Sequence, residues 1–174
     1  MYSAIGQNTT ELDNRYGFKT IKLDDLKSKY TSELTFWKSI SEDNVTGYLY
    51  NPSNISLFNV FDLRTDAIKL FFDNKTNKLI RISLVKTYPA ATSSDHYKNA
   101  LADNKILIDD FTTLFGHFTS KIDNEQAGDI GVGWIGTKVI LKVVTTYEGL
   151  SNGSYNEVTI SKLSFVKAKF DSGF

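Results

Sequence analysis

The chain contains no cysteine, and this absence excludes several kinds of chemistry. Disulfide bridges, zinc–thiolate sites and cysteine nucleophiles all require that residue. The sequence has two histidines, His96 and His117, and neither belongs to an H-x-H or H-E-x-x-H motif that would indicate a zinc site. We therefore predict no metal site, no bound cofactor and no catalytic residue.

The chain also lacks an excess of charge and a long apolar run. Lys plus Arg and Asp plus Glu number 20 each, so the formal net charge is zero. Nucleic-acid binding depends on many cationic contacts to phosphates. A transmembrane helix needs about 20 apolar residues, whereas the best apolar run, Val139–Val144, is short and interrupted by Lys142. We expect no nucleic-acid partner and no transmembrane segment, which leaves a protein or a small ligand as the partner.

Apolar residues are plentiful, and they predict a folded core. Hydrophobic residues make up 41% of the 174 positions and aromatic residues 13%, which is the composition of a globular domain rather than of a disordered chain. We predict a flexible N-terminus over residues 1–17 and a single domain over residues 18–174. Residues 1–7 resemble the end of a signal peptide or a frayed terminus. With the lack of cysteine, this favours an extracytoplasmic location, periplasmic or secreted, although a cytoplasmic one also fits.

A hairpin is the clearest secondary-structure signal. Residues 67–72 and 78–85 are β-prone, and the turn-forming segment Asp73–Asn77 joins them. So short a link permits only antiparallel pairing. Together with a strand predicted at Lys138–Tyr147, the hairpin indicates an α+β fold with a mostly antiparallel sheet and short helices on one face.

Three short helices are predicted from their capping residues. Asp24 is suited to begin one, residues 95–103 form a second, and residues 109–115 form a third that ends at Gly116. A last strand is predicted over residues 158–170, with a bulge where its alternation slips.

Two segments share a pattern that predicts an internal duplication. Leu23–Tyr30 and Ile108–Phe115 both consist of an aliphatic residue, two aspartates, an apolar residue, three variable residues and an aromatic residue. Each is followed by strands that end in a long hairpin. We predict two related halves, residues 18–86 and 104–170, while the alternative is a chance match between common helix-start patterns.

The repeated order of helix and hairpin carries a resemblance. Together with the turn at Phe72–Leu79, the segments Leu114–Gly116, Trp134–Gly136 and Val139–Leu141 resemble the helix–glycine–strand layout of two bacterial groups. These are the small outer-membrane-assembly lipoproteins and the β-lactamase-inhibitor-protein class. The resemblance implies an exported protein that acts through protein–protein contact. Since the chain has no lipobox cysteine, it implies no lipid anchor here, and we transfer no functional residue.

Two motifs that form functional sites in other proteins have a structural explanation in this sequence. Gly131–Gly136 matches the G-x-G-x-x-G string of dinucleotide sites, but a strand rather than a helix is predicted after it, so we expect a loop or a glycine-rich strand entry. Ser94, Asp95 and His96 are neighbours in sequence, whereas a catalytic triad needs neighbours in space. A helix start explains these three residues better.

Aromatic residues supply the candidate binding surface. Tyr48 and Tyr50 share one face of a predicted strand, and Trp134 lies in a glycine-rich segment. Arg81 alternates with apolar neighbours on the less buried face of the hairpin. The predicted binding residues are therefore Tyr48, Tyr50, Trp134 and Arg81, while the alternative for the aromatic residues is packing in the core.

The sequence indicates a non-catalytic, extracytoplasmic binding or protein-interaction module that uses one face of its sheet. The alternative is a small enzyme or a small-molecule carrier with a cavity between helices and a curved sheet. An exposed aromatic face would favour the first function. A cavity that encloses carboxylates and His96 or His117 would favour the second.

Overall fold

The computed structural model describes residues 9–91, 95–124 and 126–166. They include the α-helices α1 (Thr9–Arg15) and α2 (His96–Phe115). The β-strands are β1 (Gly17–Phe18), β2 (Ile21–Lys22), β3 (Leu34–Ile40), β4 (Val45–Tyr50), β5 (Asn59–Val60), β6 (Leu63–Arg64), β7 (Ala67–Asp73), β8 (Leu79–Tyr88), β9 (Ser120–Asn124), β10 (Asp129–Ile135), β11 (Val139–Tyr147) and β12 (Ser154–Lys162).

Eight of these strands form one antiparallel sheet, in the order β3-β4-β7-β8-β12-β11-β10-β9. The strands β1 and β2 form a small hairpin, and so do β5 and β6. The predicted combination of helices with a mostly antiparallel sheet is confirmed. The halves of the chain meet at the centre of the sheet, where β8 pairs with β12.

The predicted hairpin is formed by β7 and β8, with Ala67 opposite Val85. Its register shifts between Phe71 and Phe72. As a consequence Leu79 belongs to the main core, whereas Ile80 packs with Phe71 on the opposite face of the sheet. This reverses the faces that strict alternation predicts for residues 79 and 80, because a bulge adds one residue to one strand.

The core lies between the sheet and α2. Alternate residues of the central strands are buried on this side, among them Leu70, Ile82, Leu141 and Ile160. The helix contacts β8, β10, β11 and β12. In the described part of the chain, no helix combines the length and the apolar character needed to cross a membrane.

One long helix replaces the second and third predicted helices. Residues 96–115 are continuous in α2, and Asp109 and Asp110 lie within it rather than at a helix start. Buried residues recur along α2 at helical spacing, and they are His96, Ala100, Asn104, Leu107, Phe111 and Phe115. Asn104 is polar, so the apolar pattern breaks in the sequence although the helix continues. The predicted end at Gly116 is confirmed, and its φ is +77°.

The first predicted helix is absent from its segment. Residues 27–29 and 31–33 form short 3-10 turns, and Asp24 has a φ of +68°. The carboxylate of Asp24 accepts hydrogen bonds from Tyr16 Oη (2.5 Å) and Lys162 Nζ (2.7 Å) instead of capping a helix. The two matching segments of the sequence therefore have different backbone structures, one in turns and one inside α2.

The ends of the chain also differ from the prediction. Residues 9–15, expected to be flexible, form α1, and Leu12 within it is buried. The last strand ends at Lys162, and the backbone of residues 163–166 is helical, so the bulge expected in a longer strand is not formed. Of the predicted strand, residues 167–170 lie outside the described residues.

Asp13 joins α1 to the sheet. Its carboxylate accepts hydrogen bonds from the backbone N–H groups of Thr137 (2.7 Å), Lys138 (2.8 Å) and Val139 (3.1 Å), and from the hydroxyl of Thr137 (2.7 Å). Burial raises the pKa of Asp13, but these hydrogen bonds outweigh burial, and the net pKa lies below its usual value. The ionised carboxylate thus holds α1 against the start of β11.

We expect Asp13→Asn to lower the free energy of unfolding by about 2 kcal/mol at neutral pH, because hydrogen bonds to a charged group contribute about 1.5–3 kcal/mol. The folded-state pKa is depressed, so this stabilisation is present above the unfolded pKa of about 4 and is lost as pH falls through the folded pKa. Urea unfolding should show the two proteins converging in acid. Asp123→Asn, an exposed carboxyl on β9, is the control, and a difference that stays constant with pH would contradict this role.

Candidate functional site: the open face of the sheet

The structure buries two of the predicted binding residues. The side chain of Trp134 is 0% exposed, and its Nε1–H donates to the carbonyl of Gly116 at 2.8 Å. Tyr50 is 6% exposed and packs edge-to-face on Tyr30, with ring centroids 5.4 Å apart. Burial, with the charge of Glu33, raises the pKa of Tyr50 to about 12. Both side chains belong to the core and cannot line a binding surface.

Tyr48 shares the face of Tyr50, as alternation predicts, and is half-buried. Its hydroxyl accepts a hydrogen bond from Lys27 Nζ at 2.5 Å, and its ring packs against Phe36 and Phe72. This face is the one that contains the core. The structure therefore does not bring Tyr48 together with Arg81, which lies on the other side of the sheet.

Arg81 is half-buried on the side of the sheet turned away from α2. The centre of its guanidinium lies 5.2 Å from the ring centroid of Phe71 and 5.5 Å from that of Phe165. Its Nε is buried, and no atom of the described residues accepts a hydrogen bond from it. Burial lowers the pKa of Arg81, while Glu157 and Asp43 act in the opposite direction. Two aromatic rings thus hold a cation in place without neutralising it.

We call the side of the sheet that carries Arg81 the open face. The helices α1 and α2 and the two small hairpins contribute to the core on the other side. The open face contains a depression of about 440 Å³. Its charged and hydroxyl-bearing lining residues are Arg81, Asp129, Lys142, Thr146, Tyr155, Glu157, Thr159 and Ser161.

Strand pairing explains how this set converges. The strand β12 lies between β8 and β11, so Ser161 is opposite Arg81 on one side and Ile140 on the other. Two residues earlier on β12, Thr159 lies between Ser83 and Lys142. Directly paired residues share a face. Residues of β8 and β11, which are far apart in sequence, therefore lie on either side of the hydroxyls of Thr159 and Ser161.

Lys142 is the second cation of the depression. Burial lowers its pKa, and the nearby charge of Arg81 lowers it further. Of the acidic groups that line the depression, Glu157 accepts a hydrogen bond from buried Ser83, and Asp129 accepts one from Thr146 at 2.6 Å. Each carboxylate is thus held by a hydroxyl, whereas the two half-buried cations repel each other.

A second basic and aromatic group lies on the neighbouring strands. The Nζ atoms of Lys38 and Lys69 each lie 4.2 Å from the ring centroid of Trp37. Burial lowers the pKa of Lys69, Glu157 opposes this effect, and Lys38 adds to it. Aromatic rings stabilise cations through their negative faces. The open face therefore presents clustered cations beside aromatic rings.

This arrangement is suited to binding an anion. Guanidinium, ammonium and hydroxyl groups are hydrogen-bond donors for carboxylates. Among the described residues, no three His, Asp or Glu side chains gather as a metal ion requires. The open face offers donors and positive charge to a ligand from outside.

The other residues considered from the sequence have structural positions. His96 is buried at the start of α2, with Nδ1 2.9 Å from Ser154 Oγ and its ring stacked on Tyr147. Ser94 lies outside the described residues. The G-x-G-x-x-G string falls largely in β10, which confirms the glycine-rich strand alternative rather than the loop.

Lys142, Glu157 and Thr159 were missed by reasoning from the sequence. The signal is present: Lys142 interrupts an apolar run, and polar side chains alternate with apolar ones along residues 157–160. Such alternation indicates a strand with one solvent-exposed face. Their meeting with Arg81 follows only from the pairing of β8 with β12.

Comparisons of the chain with models of protein families, with curated proteins and with solved structures find no match. The resemblance to exported helix–hairpin proteins stays a prediction. The function proposed below rests on the geometry and charges of the open face.

Proposed function

We propose that this protein is a non-catalytic interaction module that binds an acidic segment of a partner protein on its open face. One observation carries the proposal: Arg81 and Lys142, two half-buried cations that repel each other, line the same depression. Burying a charge is unfavourable unless a partner compensates for it. A carboxylate placed between them would relieve the repulsion of the two cations.

A protein partner fits this surface better than a nucleic acid. Arg81 and Lys142 form a local pair of cations that suits a short acidic segment, whereas the chain has no net positive charge with which to attract an extended phosphate backbone. Half-buried Trp37 adds the aromatic contact area that is enriched in protein interfaces. An acidic peptide with one or two apolar side chains matches both features.

The predicted duplication is part of this proposal. The strands β3, β4, β7 and β8 are neighbours in the sheet, and β12, β11, β10 and β9 continue it in the reverse order. Two related four-stranded units joined through their last strands would produce this order. The different structures at Asp24 and Asp109 imply that any relation is confined to the strands. The open face then lies across the junction, with Arg81 on β8 and Glu157 on β12.

An extracytoplasmic location is proposed with it. The absence of cysteine is compatible with an exported protein, since no thiol is exposed to oxidation. The binding experiment below does not depend on the location.

Titration with matched peptides tests the proposal. We expect a short peptide of alternating Glu and Tyr to bind, and its counterpart with Gln in place of Glu to bind at least about tenfold more weakly. Arg81→Gln and Lys142→Met should each reduce affinity for the acidic peptide by about tenfold. Lys142→Met should also raise the melting temperature by about 1–3 °C, since it removes a half-buried charge that Arg81 repels.

Lys98→Met, an exposed lysine on α2, is the matched control and should change neither quantity. The proposal is overturned if Arg81→Gln binds the acidic peptide as wild type does. Tighter binding of a single-stranded oligonucleotide than of the acidic peptide would favour a nucleic-acid partner instead.

A further inference from the structure

A second cavity lies on the other side of the sheet, between α1, the β1–β2 hairpin, the β5–β6 hairpin and the end of α2. Its volume is about 380 Å³, within the range of about 300–1,000 Å³ that is usual for small-molecule sites. Leu141 and Ile160, on the central strands, form its floor. The cavity thus reaches from the surface to the sheet.

The walls of this cavity are apolar and largely aromatic. Phe18, Phe61, Phe111 and Phe115 line it together with aliphatic side chains. Phe61 is 43% exposed at the tip of the β5–β6 hairpin, and its ring packs on Phe111 with centroids 4.9 Å apart. A hydrocarbon chain is the chemistry that such walls accept.

Three cations also line the cavity, and they are Arg15, Lys19 and Lys22. Lys22 Nζ donates to the carbonyl of Arg15 at 2.7 Å, and Lys19 Nζ donates to the carbonyl of Ser56. Within the described chain, no carboxylate forms an ion pair with either lysine, whereas Arg15 pairs with Glu11 at 2.8 Å. Two ammonium groups beside an apolar cavity are therefore available to an anionic head group.

The backbone around the cavity has an uncommon conformation. Lys19 and Phe61 have φ values of +51° and +52°, a region that non-glycine residues seldom adopt and that is most unfavourable for bulky side chains. Such residues cluster at ligand-binding segments. Both lie at the tips of hairpins that line the cavity, which suggests that these tips are shaped for a ligand rather than for the most relaxed turn.

We infer that this cavity binds a single-chain amphipathic carboxylate, with the hydrocarbon chain between the phenylalanine rings and the carboxylate beside Lys19 and Lys22. The apolar walls require the hydrocarbon part of the ligand, and the two lysines without carboxylate partners require its negative charge. Neither requirement involves the open face, so this inference is independent of the proposed function.

Binding of dodecanoate, measured by isothermal titration calorimetry on the full chain, tests the inference. We expect dodecanoate to bind more tightly than hexanoate, which fills less of the cavity, and more tightly than dodecanol, which lacks the charge. The double variant Lys19→Gln/Lys22→Gln should lose about tenfold in affinity for dodecanoate and little for dodecanol. Lys75→Gln, an exposed lysine in the turn between β7 and β8, should bind as wild type does.

A cavity-filling variant locates the ligand. Leu114→Trp replaces an aliphatic side chain of the cavity wall by a bulky ring and should abolish dodecanoate binding. If Leu114→Trp does not fold, Phe61→Ala replaces it, with an expected loss of severalfold because one aromatic wall is removed. The inference is overturned if wild type does not bind dodecanoate, if dodecanol binds equally well, or if Arg81→Gln rather than the lysine variant removes binding.

Discussion

Trp134→Ala is expected to lower the free energy of unfolding by about 3–5 kcal/mol, the usual cost of removing a large aromatic side chain from a core. The indole is wholly buried, and it contacts the rings of Phe111 and Phe118. It therefore joins β10 to the end of α2 and to the segment that follows. Its removal leaves a cavity at a place where three elements meet.

Trp134→Phe separates the contribution of packing from that of the hydrogen bond. The variant keeps an aromatic ring but leaves the carbonyl of Gly116 without the indole donor, and an unpaired buried group costs about 1–3 kcal/mol. Urea denaturation should rank the stabilities as wild type, Trp134→Phe and Trp134→Ala. Trp37→Ala, which removes a half-buried tryptophan of the open face, should cost less than Trp134→Ala. Equal losses for the two alanine variants would contradict the burial described here.

The antiparallel sheet could be predicted because its strongest signals are local. Residues 67–85 contain two β-prone segments and a turn, and a short link leaves antiparallel pairing as the only option. The strand at Lys138–Tyr147 follows in the same way from an apolar run. Order along the sheet is different, since the pairing of β8 with β12 depends on contacts between residues 66 to 80 positions apart.

The position of Trp134 could not be predicted because neighbouring glycines are compatible with two different structures, a loop and a closely packed strand. Glycine is common in loops, but in β10 the absence of a side chain allows the neighbouring strand to approach. A Cβ on Gly131 would lie 2.1 Å from the carbonyl oxygen of Val143. The glycines therefore mark close packing within the sheet, and the tryptophan between them faces the core.

The candidate site could be predicted only in part. Arg81 could be identified from its alternation with apolar neighbours, and it lies on the open face. Lys142 looked like an interruption of an apolar run. Only the strand order shows that Lys142 is a neighbour of Arg81, because it places both beside Thr159 and Ser161. A site formed by three paired strands depends on register, which single-strand patterns do not determine.

The buried polar groups between α2 and the sheet were missed for a related reason. Asn104, Thr145 and Asn156 appear in sequence as breaks in apolar patterns, and in the structure they form one network. Asn156 Nδ2 donates to the carbonyl of Ala100 at 2.8 Å, and Thr145 Oγ1 donates to Asn156 Oδ1 at 2.7 Å. Asn104 Nδ2 donates to Thr145 Oγ1 at 2.6 Å. The network fixes α2 to β11 and β12.

Asn156→Asp tests the network with almost no change in shape. Asn156 is 1% exposed, so the new carboxyl group is buried where the amide donated to Ala100. At neutral pH the variant should lose about 3–5 kcal/mol relative to wild type, the usual effect of an uncompensated buried charge. In acid the protonated carboxyl is neutral and keeps one donor, so the loss should be smaller.

The sign of the pH dependence follows from the direction of the pKa shift. Burial raises the folded-state pKa of the introduced aspartate above its unfolded value of about 4, since Lys86, its partner in the sheet, already forms an ion pair with Asp66. The folded state then binds its proton more firmly than the unfolded chain does. The stability of Asn156→Asp relative to wild type should therefore decrease as pH rises from the unfolded pKa to the folded pKa and stay low above it. Urea unfolding of both proteins at each pH measures this difference. Asn152→Asp, at an exposed position between β11 and β12, should show almost none of it, and a pH-independent loss for Asn156→Asp would mean that the side chain at this position is not buried as described.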